Sequence, residues 1–242
     1  MAAKNDVLII VPAYNEAQSI AYVLTELQKK VSGADIVVID DGSTDNTSSI
    51  ARAVGGVQVI VLPYNLGIGG AVQTGYKFAK EGDYSIAVQV DGDGQHPAGQ
   101  VEKLVAAIRR NEADVVIGSR YLVGNDEEKD FFRRLAKNLL SIAISFFIKQ
   151  RITDSSSGLR AVNKKVIYSL AHSYPRDYPE PESIVLLARE GFRIKEVPVR
   201  MQERFAGKSS INRLKGIYYL VKVMLCIFVD MFKDPLQLVD AG

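Results

Sequence analysis

The chain has 242 residues, 47% hydrophobic and 24% charged, an ordinary globular composition that allows one large domain, or a domain with an appendage, around a full core. Its single cysteine, Cys226, excludes an internal disulfide framework and a cysteine-based zinc site. The net charge of +2 is unevenly placed: residues 1–120 hold 10 Lys and Arg against 14 Asp and Glu, and residues 121–242 hold 20 against 14. The acidic half suits a metal; the basic half suits an anionic partner such as a membrane surface, and no nucleic acid is expected.

The polar start Met1–Asp6 leads straight into a strand, so no signal peptide is expected. No run reaches the ~18 uninterrupted apolar residues of a spanning helix, and a cytosolic protein is expected. Strand and helix then alternate. Strands are predicted at Val7–Val11, Asp35–Ile39, Val57–Leu62, Ser85–Val90 and Asp114–Ile117. Helices are predicted at Ala17–Val31, Thr44–Val54, Ile68–Lys80 and Gly99–Arg110. Continuous Val and Ile runs between amphipathic helices predict an α/β fold with a mainly parallel sheet covered on both faces. Ligands in such sheets bind beyond the carboxyl ends of the strands, where Pro12–Glu16, Asp40–Asp45, Asn65–Gly70, Asp91–His96 and Gly118–Arg120 all fall.

Two nucleotide folds fail on sequence. The turn after the first strand, Pro12-Ala13-Tyr14-Asn15-Glu16, has no glycine for a dinucleotide fingerprint, and no P-loop pattern exists in the chain. The informative stretch is Asp91-Gly92-Asp93-Gly94-Gln95-His96. Past the strand end, the two carboxylates and the Gln95 amide can converge as hard oxygen ligands for Mg2+ or Mn2+, which bridges nucleotide phosphates. The competing reading is an acidic turn that ends a strand. His96 is either a phosphate or outer-shell contact or a structural turn residue, and His172 is expected at the surface.

The second half changes character. Phe131–Lys149 is predicted as a long apolar helix with one polar stripe of Arg134, Lys137, Asn138, Ser141 and Ser145. Leu214–Lys233 carries Lys215, Lys222 and Lys233 on one face. Both fit an interfacial position at a membrane or docking to a partner helix, the alternative for the first being a core helix. Neither is long enough to span a membrane, so peripheral binding or assembly with a small membrane protein is expected. Pairing of these helices between copies would make a homo-oligomer.

Taken together the motifs resemble the inverting nucleotide-sugar glycosyltransferases of family 2, in particular the polyprenyl-phosphate branch typified by dolichol-phosphate mannose synthase. They are Pro12–Glu16, Asp40–Asp45, Asn65-Leu66-Gly67, Asp91–Pro97, Gly118-Ser119-Arg120, Asp154–Arg160, Glu196–Val199 and Arg204–Ser210, in family order over roughly residues 6–212. The resemblance implies a GT-A type catalytic domain over residues 1–212, with 131–149 as an interfacial acceptor helix and 213–242 as an amphipathic helix and tail. It implies that Pro12, Tyr14, Glu16, Asp41, Gly67, Asp91, Gly92, Asp93, Arg204 and Ser209 bind the nucleotide sugar. Asp91, Asp93 and Gln95 would hold Mg2+ or Mn2+, and Arg204 and Ser209 would lie on a closing loop. Two departures stand out. Ser209 is followed by Ser210 where the family often has Lys, with Lys208 as a substitute, and Arg134 is followed at the fourth position by Asn138 rather than Ser.

The expected chemistry is departure of a nucleoside diphosphate, UDP in preference to GDP, with Asp93, Asp154 and Arg204 as the catalytic candidates. A hydroxyl acceptor needs a base, for which Asp154 is the candidate. A phosphate monoester, with its second pKa near ~6, is already largely a dianion and needs only positive charge. Arg120, Arg133, Arg134 and Lys137 cluster where a lipid phosphate would arrive, which favours a polyprenyl phosphate acceptor. Asp41 is assigned to the nucleotide, and Asp45 to a helix start that Ser43 or Thr44 would cap. Glu180 and Glu182 either touch sugar hydroxyls or begin a helix. A non-catalytic nucleotide-sugar-binding protein is the remaining alternative.

Overall fold

The computed structural model describes residues 5–123, 131–202 and 222–225, with the side chains of 123 and 131–137 left aside. Helix 214–233 therefore lies outside the described residues except for 222–225, as do Arg204 and Ser209 entirely.

The elements in chain order are β1 (Val7–Ala13), α1 (Ile20–Lys30), β2 (Ala34–Asp40), α2 (Thr47–Val54), β3 (Gln58–Val61), α3 (Gly67–Glu81), β4 (Ile86–Gln89), α4 (Val101–Arg109), β5 (Val115–Ser119), α5 (Phe131–Ile148), β6 (Arg160–Asn163), α6 (Lys164–His172), α7 (Pro179–Arg189) and β7 (Ile194–Pro198). The strands form one sheet in the order β3-β2-β1-β4-β6-β5-β7. Every pairing is parallel except those of β6, which runs antiparallel to both β4 and β5.

Alternation along the strands feeds two cores. Leu8, Ile10, Val37 and Ile39 face one layer with Val72 and Tyr76 of α3, Ile144 of α5, Leu170 of α6 and Ile184 of α7. Val7, Ile9, Val11, Ile36 and Val38 face the other, against Leu24 and Leu27 of α1, Ala51 of α2 and Leu104 and Ile108 of α4. Burial of the strands on both faces is why they read as unbroken Val and Ile runs.

Two helices start three residues later than predicted, for one reason. The segment before α1 is tied to the segment before α2 through side chains: Glu16 N donates to Thr47 Oγ1 at 2.9 Å, Ala17 N to Asp45 Oδ2 at 3.1 Å and Asn15 N to Ser43 Oγ at 2.9 Å. Asn15 itself has a φ of 56°. Ser43 and Thr44 therefore do not cap α2; Asp45 Oδ1 accepts from Thr47 N at 2.9 Å instead, the helix-end role expected of Asp45.

Helix α5 corrects the expected polar stripe. Ser141 and Ser145 point inward, with Ile152 N donating to Ser145 Oγ at 2.9 Å and Ser141 Oγ bonding Thr153 O at 3.4 Å. Leu140 and Ile144 are buried, whereas Leu139, Ile142 and Phe146 are exposed, Ile142 by 65% and Phe146 by 78%. Among its described side chains, α5 thus exposes Leu139, Ile142 and Phe146 beside the single polar Asn138. Among the described residues no helix is long and apolar enough to cross a membrane.

Candidate active site

A cavity of about 290 Å3 opens at the carboxyl ends of β1, β2 and β4. Its lining comprises Pro12, Ala13, Tyr14 and Glu16 after β1, Asp41 after β2, Asn65, Gly67, Ile68 and Ala71 at the start of α3, and Asp91, Gly92 and Asp93 after β4. Of the residues expected on sequence to bind the nucleotide sugar, every one within the described residues lines this single space.

Asp41 shapes one wall. Its Oδ1 accepts from Leu66 N at 2.7 Å, so the carboxylate holds the entry to α3 as well as facing the cavity. Burial pushes its carboxyl above the usual aspartate range, and the backbone donors Leu66 and Gly67 only partly offset this. Gly42 lets the turn close. At its φ of 68°, a Cβ would sit 2.7 Å from the Tyr64 carbonyl carbon, so only glycine fits without displacing the loop before α3.

Asp91 and Asp93 form the opposite wall. Asp93 is buried and Asp91 half-buried. Gln95 N donates to Asp93 Oδ1 at 2.9 Å, which closes the turn. Gln95 is not part of the lining, and its backbone carbonyl accepts from Gln202 N at 2.9 Å. His96 is buried, and its Nδ1 accepts from Asp91 N at 3.0 Å while Nε2 lies 3.6 Å from Asp91 Oδ2. It therefore braces the turn rather than lining the cavity. His172 is exposed at the end of α6.

Asp154, outside the lining of this cavity, is buried and holds Arg120 in a two-pronged pair. Arg120 Nε donates to Oδ2 and Nη2 to Oδ1, both at 2.7 Å, and the Arg120 backbone N donates to Oδ2 at 3.1 Å. Glu196 of β7 supports the segment by accepting from Thr153 N at 2.9 Å and Asp154 N at 2.7 Å. The pairing does not suit a general base, because both oxygens are already taken by a permanent cation and the side chain is fully buried. It also commits much of the Arg120 guanidinium, whose Nη2 donates to Ser156 Oγ at 2.9 Å as well, and the side chain is 30% exposed. The side chains of Arg133, Arg134 and Lys137 lie outside the described residues.

The model of glycosyl transferase family 2 matches residues 8–170, most of the chain and nearly all of the site. The chain belongs to glycosyltransferase family 2. It is 33% identical to an undecaprenyl-phosphate mannosyltransferase of Micrococcus luteus over 85% of this chain and 87% of that protein. It is 31% identical to a UDP-N-acetylglucosamine–dolichyl-phosphate N-acetylglucosaminyltransferase of Methanococcus voltae, over 80% and 84%. Its fold superposes on glucosyl-3-phosphoglycerate synthase of Mycobacterium tuberculosis, crystallised with Mn2+, UDP-glucose and phosphoglyceric acid, with a TM-score of 0.72 at 19% identity, covering 93% of this chain and 80% of that one. The sheet and its flanking helices are thus GT-A-like, and this family 2 protein is a glycosyltransferase.

Several residues of the enzyme escaped sequence reasoning. Glu196 and Arg160 both fall within the motifs above, which give neither of them a role. Gln89, the last residue of β4, is buried and its Nε2 bonds Asp91 Oδ1 at 3.2 Å. Arg160 is buried at the start of β6, bonding Ser157 O at 2.8 Å and Ser183 Oγ at 2.7 Å. A charged residue opening a short buried strand was the available signal. Glu180 and Glu182 stand in the first turn of α7, as the helix-start reading has it. Burial pushes Glu180 up, and Arg160 pulls it partly back.

Proposed function

We propose that this glycosyltransferase moves a sugar from a nucleoside diphosphate sugar, UDP in preference to GDP, to a polyprenyl phosphate at the cytosolic membrane face, with inversion at the sugar carbon. The observation that carries the reading is the convergence of Asp91 and Asp93 with Pro12–Glu16 and Asp41 on one cavity. The relatives' lipid-phosphate acceptors and the Mn2+ and UDP-glucose of the structural neighbour support it.

Mg2+ or Mn2+ fits the donor set. The described residues contain no group of three or more His, Cys, Asp and Glu that would enclose a metal by itself, so Asp91 and Asp93 would share it with phosphate oxygens and water. When bound, such a cation offsets the charge that develops on the leaving diphosphate. The chain supplies the rest. Pro12, Tyr14, Glu16 and Asp41 would hold and orient the nucleoside, and the amino end of α3 at Gly67, which lines the same cavity, would offer its N–H groups to the phosphates. Arg204 and Ser209 remain proposed phosphate contacts on sequence alone.

No base is needed for a phosphate acceptor, since the attacking oxygen already carries charge. The Arg120–Asp154 pair agrees with this and counts against the alternative in which Asp154 deprotonates a hydroxyl of a lipid-linked glycan. Arg120, with Arg133, Arg134 and Lys137, is proposed to draw the lipid phosphate. The apolar patch of Leu139, Ile142, Ala143, Phe146, Phe147 and Met224 is proposed to rest on the bilayer or a small membrane protein.

The test is incubation of the purified protein with Mn2+, a panel of UDP- and GDP-sugars and vesicles containing undecaprenyl phosphate, with lipid products identified by mass spectrometry. A sugar-phosphate-linked lipid is expected. Sugar found only on hydroxyl acceptors, with the lipid phosphate unconsumed, would reject the proposal.

A further inference from the structure

Gln89 is a polar residue where the sequence around it asks for an apolar one. Its neighbours Ile86, Ala87, Val88 and Val90 are all buried hydrophobics, and Gln89 itself is 1% exposed. A buried amide costs stability unless it is hydrogen-bonded, so its partner explains its presence. That partner is Asp91 Oδ1, 3.2 Å from Nε2.

The other side of the same carboxylate meets bare backbone. A Cβ at Gly158 would lie 2.8 Å from Asp91 Oδ2, 3.1 Å from Oδ1 and 3.2 Å from Gln89 Nε2. Position 158 is held there by Arg160, the register partner of Gln89 across the β4–β6 pair. Its guanidinium bonds the carbonyls of Ser157 at 2.8 Å and Ser155 at 3.3 Å, immediately before the glycine. The amide donor, the missing side chain and the clamped loop all act on one carboxylate.

We propose that Gln89 is a positioning residue: its amide, packed against the bare backbone of Gly158, fixes the Asp91 carboxylate in the orientation that a divalent cation needs. A neutral donor does this without cancelling the negative charge, as a lysine in its place would. The inference rests on the proposed metal role of Asp91.

The test is Mn2+ binding in the presence of UDP, read from the electron paramagnetic resonance signal of free Mn2+, alongside UDP affinity measured in EDTA. Gln89→Met and Gln89→Leu keep the volume and remove the donor. Each is expected to weaken Mn2+ by about 10- to 100-fold, the usual effect of losing a group that orients a metal ligand, with metal-free UDP affinity unchanged. Gly158→Ala should give the same loss by pushing the carboxylate instead. Wild-type Mn2+ affinity in either Gln89 variant would overturn the proposal, and so would an equal fall in metal-free UDP affinity, which means the whole pocket has shifted. Asp91→Asn separates the two readings: if it binds Mn2+ as the wild type does, the metal role of Asp91 fails and the proposal with it.

Discussion

Asp154→Asn separates a structural anchor from a catalytic base. The carboxylate has no exposed side-chain surface and accepts three bonds from Arg120, two of them at 2.7 Å. Asn keeps the shape but turns one acceptor into a donor facing Nη2, leaving a guanidinium without its counter-charge. Removing one partner of a buried pair costs about 3–5 kcal/mol; with Arg120 partly solvated, discounting for screening gives about 2–3 kcal/mol. For a domain of this size that is a fall of about 5–10 °C in thermal midpoint. The assay is thermal and urea unfolding of Asp154→Asn, Arg120→Met and the double variant. The single changes should be non-additive, because either one breaks the same pair. Turnover of any molecules still folded should fall far less than the total loss expected for removing a base. A variant with wild-type stability and no turnover would refute the reasoning and restore Asp154 as the base for a hydroxyl acceptor.

Three further outcomes are expected. Gly42→Ala must hold a φ of 68° and bring a Cβ to 2.7 Å from the Tyr64 backbone, so urea unfolding should show a loss of about 1–3 kcal/mol, with weaker UDP binding as the Asp41–Leu66 contact shifts. Ile142→Glu with Phe146→Glu should abolish co-sedimentation with anionic vesicles while changing stability by no more than about 0.5 kcal/mol per site, since both side chains are exposed; undiminished vesicle binding would remove α5 from the membrane face. Metal-free UDP affinity should fall as the pH drops through the raised pKa of Asp41, and Asp41→Asn should flatten that profile. The sign for stability is opposite. Burial makes the folded form bind a proton more tightly than the unfolded chain, so this group's contribution falls as the pH rises from the unfolded to the folded pKa and is least favourable above both.

The first half of the fold was legible because its physics is local. Strands buried on both faces announce themselves as Val and Ile runs, and Asp-Gly and Asn-Leu-Gly turns mark where they end, so the loops that line the cavity could be placed from the pattern, while the individual binding residues came from the family resemblance. Helix starts were missed where side chains from another loop, such as Asp45 on Ala17 N, compete with the helix for backbone donors. Strand β6 was missed because Arg160-Ala161-Val162-Asn163 is four residues long and begins with a charge, and its register partners lie 71–77 residues upstream in β4 and 43–47 upstream in β5. The direction of Ser141 and Ser145 was hidden for a related reason: spacing places them on one stripe with Arg134, Lys137 and Asn138, and only the 152–153 backbone that they bond shows where these two point.

The antiparallel insertion of β6 has a consequence for the chemistry. Because β6 runs against β4 and β5, its first residue, Arg160, pairs with Gln89 and Ile117 at their carboxyl ends. The chain leading into it, residues 153–159, must therefore cross the rim where ligands bind. That short stretch touches residues proposed for both substrates. Gly158 packs on Asp91, on the proposed donor side, and Asp154 grips Arg120, on the proposed acceptor side. Its own anchors, Glu196 on β7 and Arg160 on β6, belong to the sheet rather than to either substrate. A displacement of this segment would move Asp91 and Arg120 together, so, on the roles proposed for these two residues, substitutions at Glu196 should impair donor and acceptor binding in parallel, whereas substitutions at Gln89 should touch the donor side alone.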